Sequence, residues 1–154
     1  MSSLKSTALL AHIEDHCVDA NVRKISWSGR KYIANGFYKV VTPLHVFKKV
    51  YVNRVETIAN LVIPAGAMIY AEPYAFQPGA RMALRKMRAS EAFVHSLVKQ
   101  RMGTQVQEAN SHWDPSFTYK VGETVKPNRP FSKDETQCDH GIHFFINLAD
   151  AKRW

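Results

Sequence analysis

From Val22 onward the chain is a series of short runs rich in β-branched and aromatic residues, each closed by a turn dipeptide, and that punctuation commits most of it to sheet. Ile25, Trp27 and Tyr32 are interrupted by Ser28-Gly29, and Asn35-Gly36 precedes Phe37-Tyr-Lys-Val-Val41. Residues 58–63 are separated from residues 67–70 by Pro64-Ala-Gly66. Turns of these types join neighbouring strands tightly. Residues 46–55 alternate apolar with basic over part of their length, the pattern of a half-exposed strand. Residues 117–121 and 142–146 supply two more strands.

Ahead of this region Leu10, Ile13 and Cys17, with Leu9 beside them, recur at helical spacing, so an amphipathic helix is expected within an N-terminal extension, residues 1–21. Residues 22–154 then form a single domain. Residues 81–102 fit two readings. Ser90 can cap a helix that carries Phe93, Val94, Leu97 and Val98 and stops at Gly103, and the same letters fit a buried strand. Residues 104–115 read as a loop and 127–137 as a long connection, with Asn147 capping a last helix that ends at Trp154. The expected fold class is α+β: one mixed or antiparallel sheet, an N-terminal helix and a short C-terminal helix.

A chain of 154 residues, 45% of them hydrophobic, has the material for one core and not for two. Its formal charge of +8 makes polyanions the natural partners. No run approaches the roughly 20 apolar residues that span a bilayer, since residues 61–71 are broken by Pro64 and Gly66. The N-terminus runs from a short apolar patch directly into Glu14-Asp15 without a small-residue cleavage site. Cys17 and Cys138 are too few for a disulfide scaffold. An intracellular or virion location is therefore expected, without a secretory signal and without a membrane partner.

Chemistry concentrates in two places. The first is Cys138-Asp-His140-Gly141-Ile-His143-Phe-Phe145, which sets a thiol, a carboxylate and two imidazoles against the start of an apolar strand. Zinc favours such donors, and His112 or His95 are available to complete a tetrahedron, but no second Cys-x-x-Cys or His-x-x-x-His element accompanies them. His12 and His16 stand four apart on the expected helix, where solvated surface histidines are the commoner outcome. A catalytic Cys138 would need a base from elsewhere, such as His112 or His45, because sequence neighbours in an extended segment do not face each other. The structural alternative is that Gly141 allows a close approach, His140 and His143 bond backbone groups, and Ile142 and Phe144 anchor the core. No metal, cofactor or catalytic residue is assigned. The second place is the basic cluster Arg81, Arg85, Lys86 and Arg88, which suits phosphate because the guanidinium fork donates two parallel hydrogen bonds. Tyr70, Tyr74 and Phe76 just before it can stack bases.

Three segments, Ala59-Asn-Leu-Val-Ile-Pro-Ala-Gly-Ala67, Arg85-Lys-Met-Arg-Ala-Ser-Glu-Ala-Phe-Val94, and Phe117-Thr-Tyr-Lys-Val-Gly-Glu123 leading to Cys138-x-x-Gly-Ile-His-Phe-Phe145, carry a resemblance to a domain of unknown function. That domain occurs in phages, large DNA viruses and bacteria, often appended to pentapeptide-repeat proteins. Where it carries Lys-Cys-Arg this chain has Lys86-Met87-Arg88, so any pairing of that cysteine with Cys138 is lost. The resemblance implies a phage or virus setting and no particular chemistry. Gly141 to Phe145 with the following helix also looks like a strand and helix of ADP-ribosyltransferases, with Phe37-Tyr38-Lys39 in place of their first core strand. The catalytic letters disagree: His143 stands where the stacking tyrosine would be, and there is no Ser-Thr-Ser strand and no Glu-x-Glu pair.

These observations favour a non-catalytic accessory module of phage or virus type, whose basic face binds nucleic acid, nucleotide phosphates or a protein partner. One alternative is a nucleotide-acting enzyme on an ADP-ribosyltransferase-like sheet with Tyr38, Cys138 and His143 near the pocket. Another is a self-associating virion structural protein.

Overall fold

A computed structural model describes residues 6–20, 22–25, 32–34, 36–134 and 136–154. Helix α1 (Ser6–His16) leads into β1 (Cys17–Asp19), the hairpin β2 (Val22–Ile25) and β3 (Tyr32–Ala34), and β4 (Phe37–Val40). The long pair β5 (Leu44–Val52) and β6 (Val55–Ile63) precedes β7 (Met68–Tyr70). Two 3-10 turns, Pro73–Phe76 and Met82–Arg85, lead to β8 (Met87–Ala89) and β9 (Ala92–Lys99). Short strands follow: β10 (Gln105–Val106), β11 (Glu108–Asn110), β12 (Thr118–Lys120) and β13 (Thr124–Val125). The chain closes with β14 (Ile142–Phe144) and α2 (Leu148–Arg153). This is an α+β domain with a strand-rich, curled sheet and a helix near each end. No helix among the described residues is long and apolar enough to cross a membrane.

The strands form two principal antiparallel sheets, β1-β4-β7-β8-β14 and β10-β9-β6-β5-β11-β12, with β13 also on β9. Their inward residues make one core that includes Val40, Leu44, Val46, Val50, Leu61, Ile69, Met87, Leu97, Ile142 and Phe144. Leu9, Ile13 and Cys17 join the same core, so the segment expected as an extension contributes to it. A smaller cluster of Ile58, Phe145 and Ala151, flanked by Phe47 and Leu148, holds α2 against the sheet.

β5 explains where the molecule opens. It pairs with β6 along its whole length. On its other side, among the described residues, it meets only Phe145 opposite Phe47 and Asn110 opposite Tyr51. The first of these contacts is a reciprocal pair of backbone hydrogen bonds of 2.8 and 2.9 Å, which ties the end of β14 to the second sheet. Between the two contacts the sheet is split beside Lys48 and Lys49.

Several sequence expectations change at this level. Residues 46–55 are not one strand, because Asn53 and Arg54 both take positive φ, 48° and 69°, and form the two-residue turn of a hairpin. Residues 81–102 resolve as a turn and two strands, because β8 and β9 are each flanked by partners that satisfy their backbone groups. The segment 104–115 contains β10 and β11, polar strands held by pairing rather than by apolar content. Trp27 and the Ser28-Gly29 turn lie outside the described residues. Gly36 is required where it stands, since its φ is +90° and a Cβ would lie 2.7 Å from both the Ala71 carbonyl oxygen and the Tyr70 ring.

Candidate functional site: a cationic cleft at the split of the sheet

The split opens into a cleft of about 650 Å³, within the usual range of ligand sites. Its floor and one wall are the segment from Cys138 to Phe145, and β5 contributes Lys48, Lys49 and Tyr51. The turn after β11 brings His112, Trp113 and Asp114, and Lys86 and Trp154 stand at another edge. The lining cations are Lys48, Lys49, Lys86 and Arg129, against the carboxylates Asp114 and Asp139. Both carboxylates are turned to backbone or amide donors. Asp139 accepts from the His140 N–H at 2.7 Å, which holds its carboxyl below the ordinary range, and Asp114 accepts from Asn128 at 3.1 Å.

Lys48 is the unusual member. Side chains alternate along a strand, so Lys48 shares the inward register of Leu44, Val46 and Val50, all of which are fully buried. Its ammonium donates to the His143 carbonyl at 3.1 Å. Among the described residues no carboxylate pairs with it or with Lys86. Burial, with the nearby Lys86 charge, pushes the Lys48 amine down to about 8. Lys49 is spent in part on Glu56, at 3.7 Å.

His143 faces the cleft between the buried Ile142 and Phe144, as strand alternation requires. Its Nε2–H donates to the Gln137 carbonyl at 3.0 Å. Burial, reinforced by Lys48 and Lys86, lowers the imidazole to about 3, so at neutral pH the ring is neutral. It acts as a brace between two stretches of backbone. The Cys138 Sγ has the Lys86 ammonium 3.9 Å away, and Lys86 also lies over the Trp154 ring at 4.8 Å. His140 is exposed.

The rigidity of this wall comes from Arg88. Its side chain is 0% exposed, and its guanidinium donates to the carbonyls of Ser132 (2.8 Å), Asp134 (2.6 Å), Thr136 (2.8 Å) and His140 (3.0 Å). The rings of Phe131 and Tyr70 lie 4.7 and 5.0 Å from the guanidinium carbon. One side chain therefore gathers Ser132, Asp134, Thr136 and His140 ahead of β14. Gly141 is part of the same arrangement, because a Cβ there would meet the Arg88 Cβ at 2.9 Å and the Ala89 carbonyl at 3.2 Å. A side chain at residue 141 would force β14 to shift against β8.

The four basic residues expected to act as a phosphate-binding cluster are thus separated. Arg88 is internal. Arg85 makes a two-pronged bond to Asp150, 2.7 and 2.8 Å, and donates to the Ala80 carbonyl, anchoring α2. Burial alone would raise the Asp150 carboxyl, but the bonds from Arg85 and Asn147 outweigh it and hold it low. Arg81 is exposed, and only Lys86 reaches the cleft. Of the motif residues, Cys138, His140, Gly141 and His143 all line the cleft, whereas Tyr38 is buried in the core. Of the ring candidates, Tyr70 is buried, and Tyr74, though exposed, is not in the cleft wall. Lys48 and Lys49 count in the sequence only as part of a general basic surface, and no motif marks Tyr51 or Trp113. For Lys48 the signal was available, a lysine at an inward position of an otherwise apolar alternation. Among the described residues no group of three metal-ligating side chains converges.

The sequence profile of a family of unknown function (DUF5758) matches residues 34–151. The chain is also similar to the uncharacterized protein L223 of Acanthamoeba polyphaga mimivirus, 28% identical over 140 residues, covering 80% of this chain and 86% of that protein. No solved structure matches.

Proposed function

We propose, for a chain that belongs to the DUF5758 family of unknown function, that it is a non-catalytic accessory module of viral type that binds an anionic, phosphate-bearing ligand in the cleft at the split of the sheet. The observation that carries this reading is the pair Lys48 and Lys86, two ammonium groups that line the same cleft with no carboxylate partner among the described residues, the Lys86 charge adding to the burial that disfavours a charged Lys48. Keeping a partly buried lysine charged is costly, and an anion seated between the two removes that cost. The enzymatic alternative requires Tyr38 beside His143 and Cys138. Tyr38 lies in the core and the His143 ring is committed to the Gln137 carbonyl, so binding is the better-supported function.

Titration calorimetry with inorganic tripolyphosphate tests it. Binding is expected to weaken steadily with added salt as counterions compete, and the double substitution Lys48→Met, Lys86→Ala should weaken it by about a hundredfold or more, since each of the two charged hydrogen bonds lost is worth about 1.5–3 kcal/mol. The same variant should melt no lower than the parent, because Met keeps the apolar stem and removes a poorly solvated charge. Binding insensitive to salt and to the double substitution would overturn the proposal.

A further inference from the structure

Trp113 is 82% exposed, an unusual position for the largest apolar side chain, yet its turn is firmly built. Asp114 accepts from the Ser116 backbone N–H at 3.1 Å and from Asn128 at 3.1 Å. Asn110 donates to the Pro115 carbonyl at 2.8 Å, and the Phe117 N–H closes the turn on the Asp114 carbonyl at 2.9 Å. Rings continue inward from Trp113: His112 meets it edge-on at 5.0 Å, and His112 in turn lies over Tyr51 of β5 at 5.0 Å and 40°. The result is an aromatic wall running from the rim of the cleft to the strand that carries Lys48 and Lys49.

A site for phosphate alone has no use for such a wall, whereas an exposed π-face on a hydrogen-bonded turn, at the rim of a cleft that ammonium groups also line, has the components of a base-and-phosphate site. We infer that the ligand carries a nucleobase as well as phosphate, with the base stacked on Trp113 and the phosphates on Lys48 and Lys86. The ligand class is then nucleoside phosphates, as a free nucleotide or as the end of a single strand. This inference rests on the phosphate-binding reading of the same cleft and adds the base to it. The volume of about 650 Å³ accommodates a ligand of that size.

The experiment compares ATP with tripolyphosphate, which share the polyphosphate chain and differ in the nucleoside, on the parent and on Trp113→Ala. ATP should bind at least about tenfold more tightly to the parent, the contribution expected of one stacked base. Trp113→Ala should abolish that difference while leaving tripolyphosphate affinity unchanged. Because Trp113 is exposed, the substitution does not endanger the fold. A four-nucleotide oligothymidylate identifies the source: tighter binding than thymidine monophosphate points to a strand, and equal or weaker binding points to free nucleotide. Equal affinity for ATP and tripolyphosphate would overturn the inference while leaving phosphate binding intact. Discrimination that survives Trp113→Ala would overturn the assignment of the base to this wall, and failure of both ligands to bind would remove the phosphate reading and this one with it.

Discussion

His143 shows how one side chain can look like chemistry and serve as structure. In the sequence it is an imidazole beside a thiol; in the fold its ring N–H and its backbone carbonyl are both taken, by Gln137 and by Lys48. Its depressed pKa has a testable consequence. The unfolded chain binds a proton near pH 6.5 and the folded chain only near pH 3, so between those values unfolding takes up protons and stability falls as pH falls. Lowering the pH from 6.5 to 5 should cost up to about 2 kcal/mol through this residue. His143→Gln should flatten that part of the profile, as read by urea melts at the two pH values, and should change tripolyphosphate affinity little, because a neutral ring contributes no charge. An unchanged pH slope in the variant would show that another group carries it.

At the scale of elements, β14 is decided by what it must lie against. Its alternation was legible, with Ile142 and Phe144 inward and His143 outward, and so was the need for a glycine ahead of it. What made the glycine necessary was not legible. It is the Arg88 stem on β8, a strand distant in the chain. Gly141→Ala should cost on the order of 1–3 kcal/mol, the usual penalty of an inserted methyl in a packed site. Thermal denaturation checks this, and an unaltered midpoint would mean that β14 is less closely seated on β8 than its geometry implies. The helix-or-strand ambiguity of residues 81–102 has the same origin. Apolar letters at mixed spacing fit either element, and the choice fell to the strands on both sides, β7 and β14 around β8 and β6 and β13 around β9.

Over the whole molecule, Arg88 links stability to the cleft, since the segment it gathers leads into the cleft wall. Arg88→Lys keeps the charge but has too few donors in the wrong geometry for four carbonyls. It should destabilise the domain by roughly 2–5 kcal/mol, as loss of buried charged hydrogen bonds does, and should loosen ligand binding as well. Melting and calorimetry on one variant read both effects, and a stable protein with parental affinity would deny Arg88 this role. The sequence by itself determined the fold class, the helix near each end, the Pro64-Ala-Gly66 turn and the inward alternation of β14, because these depend on local periodicity and on backbone freedoms of particular residues. It also announced a cationic protein. Which cations line the cleft was decided only by tertiary structure: strand register turned Lys48 inward, Asp150 claimed Arg85, four carbonyls enclosed Arg88, and the split beside β5 brought Lys86 and Trp113 to one cleft. Charge is a property of the residue, whereas its availability depends on which distant groups the fold places beside it.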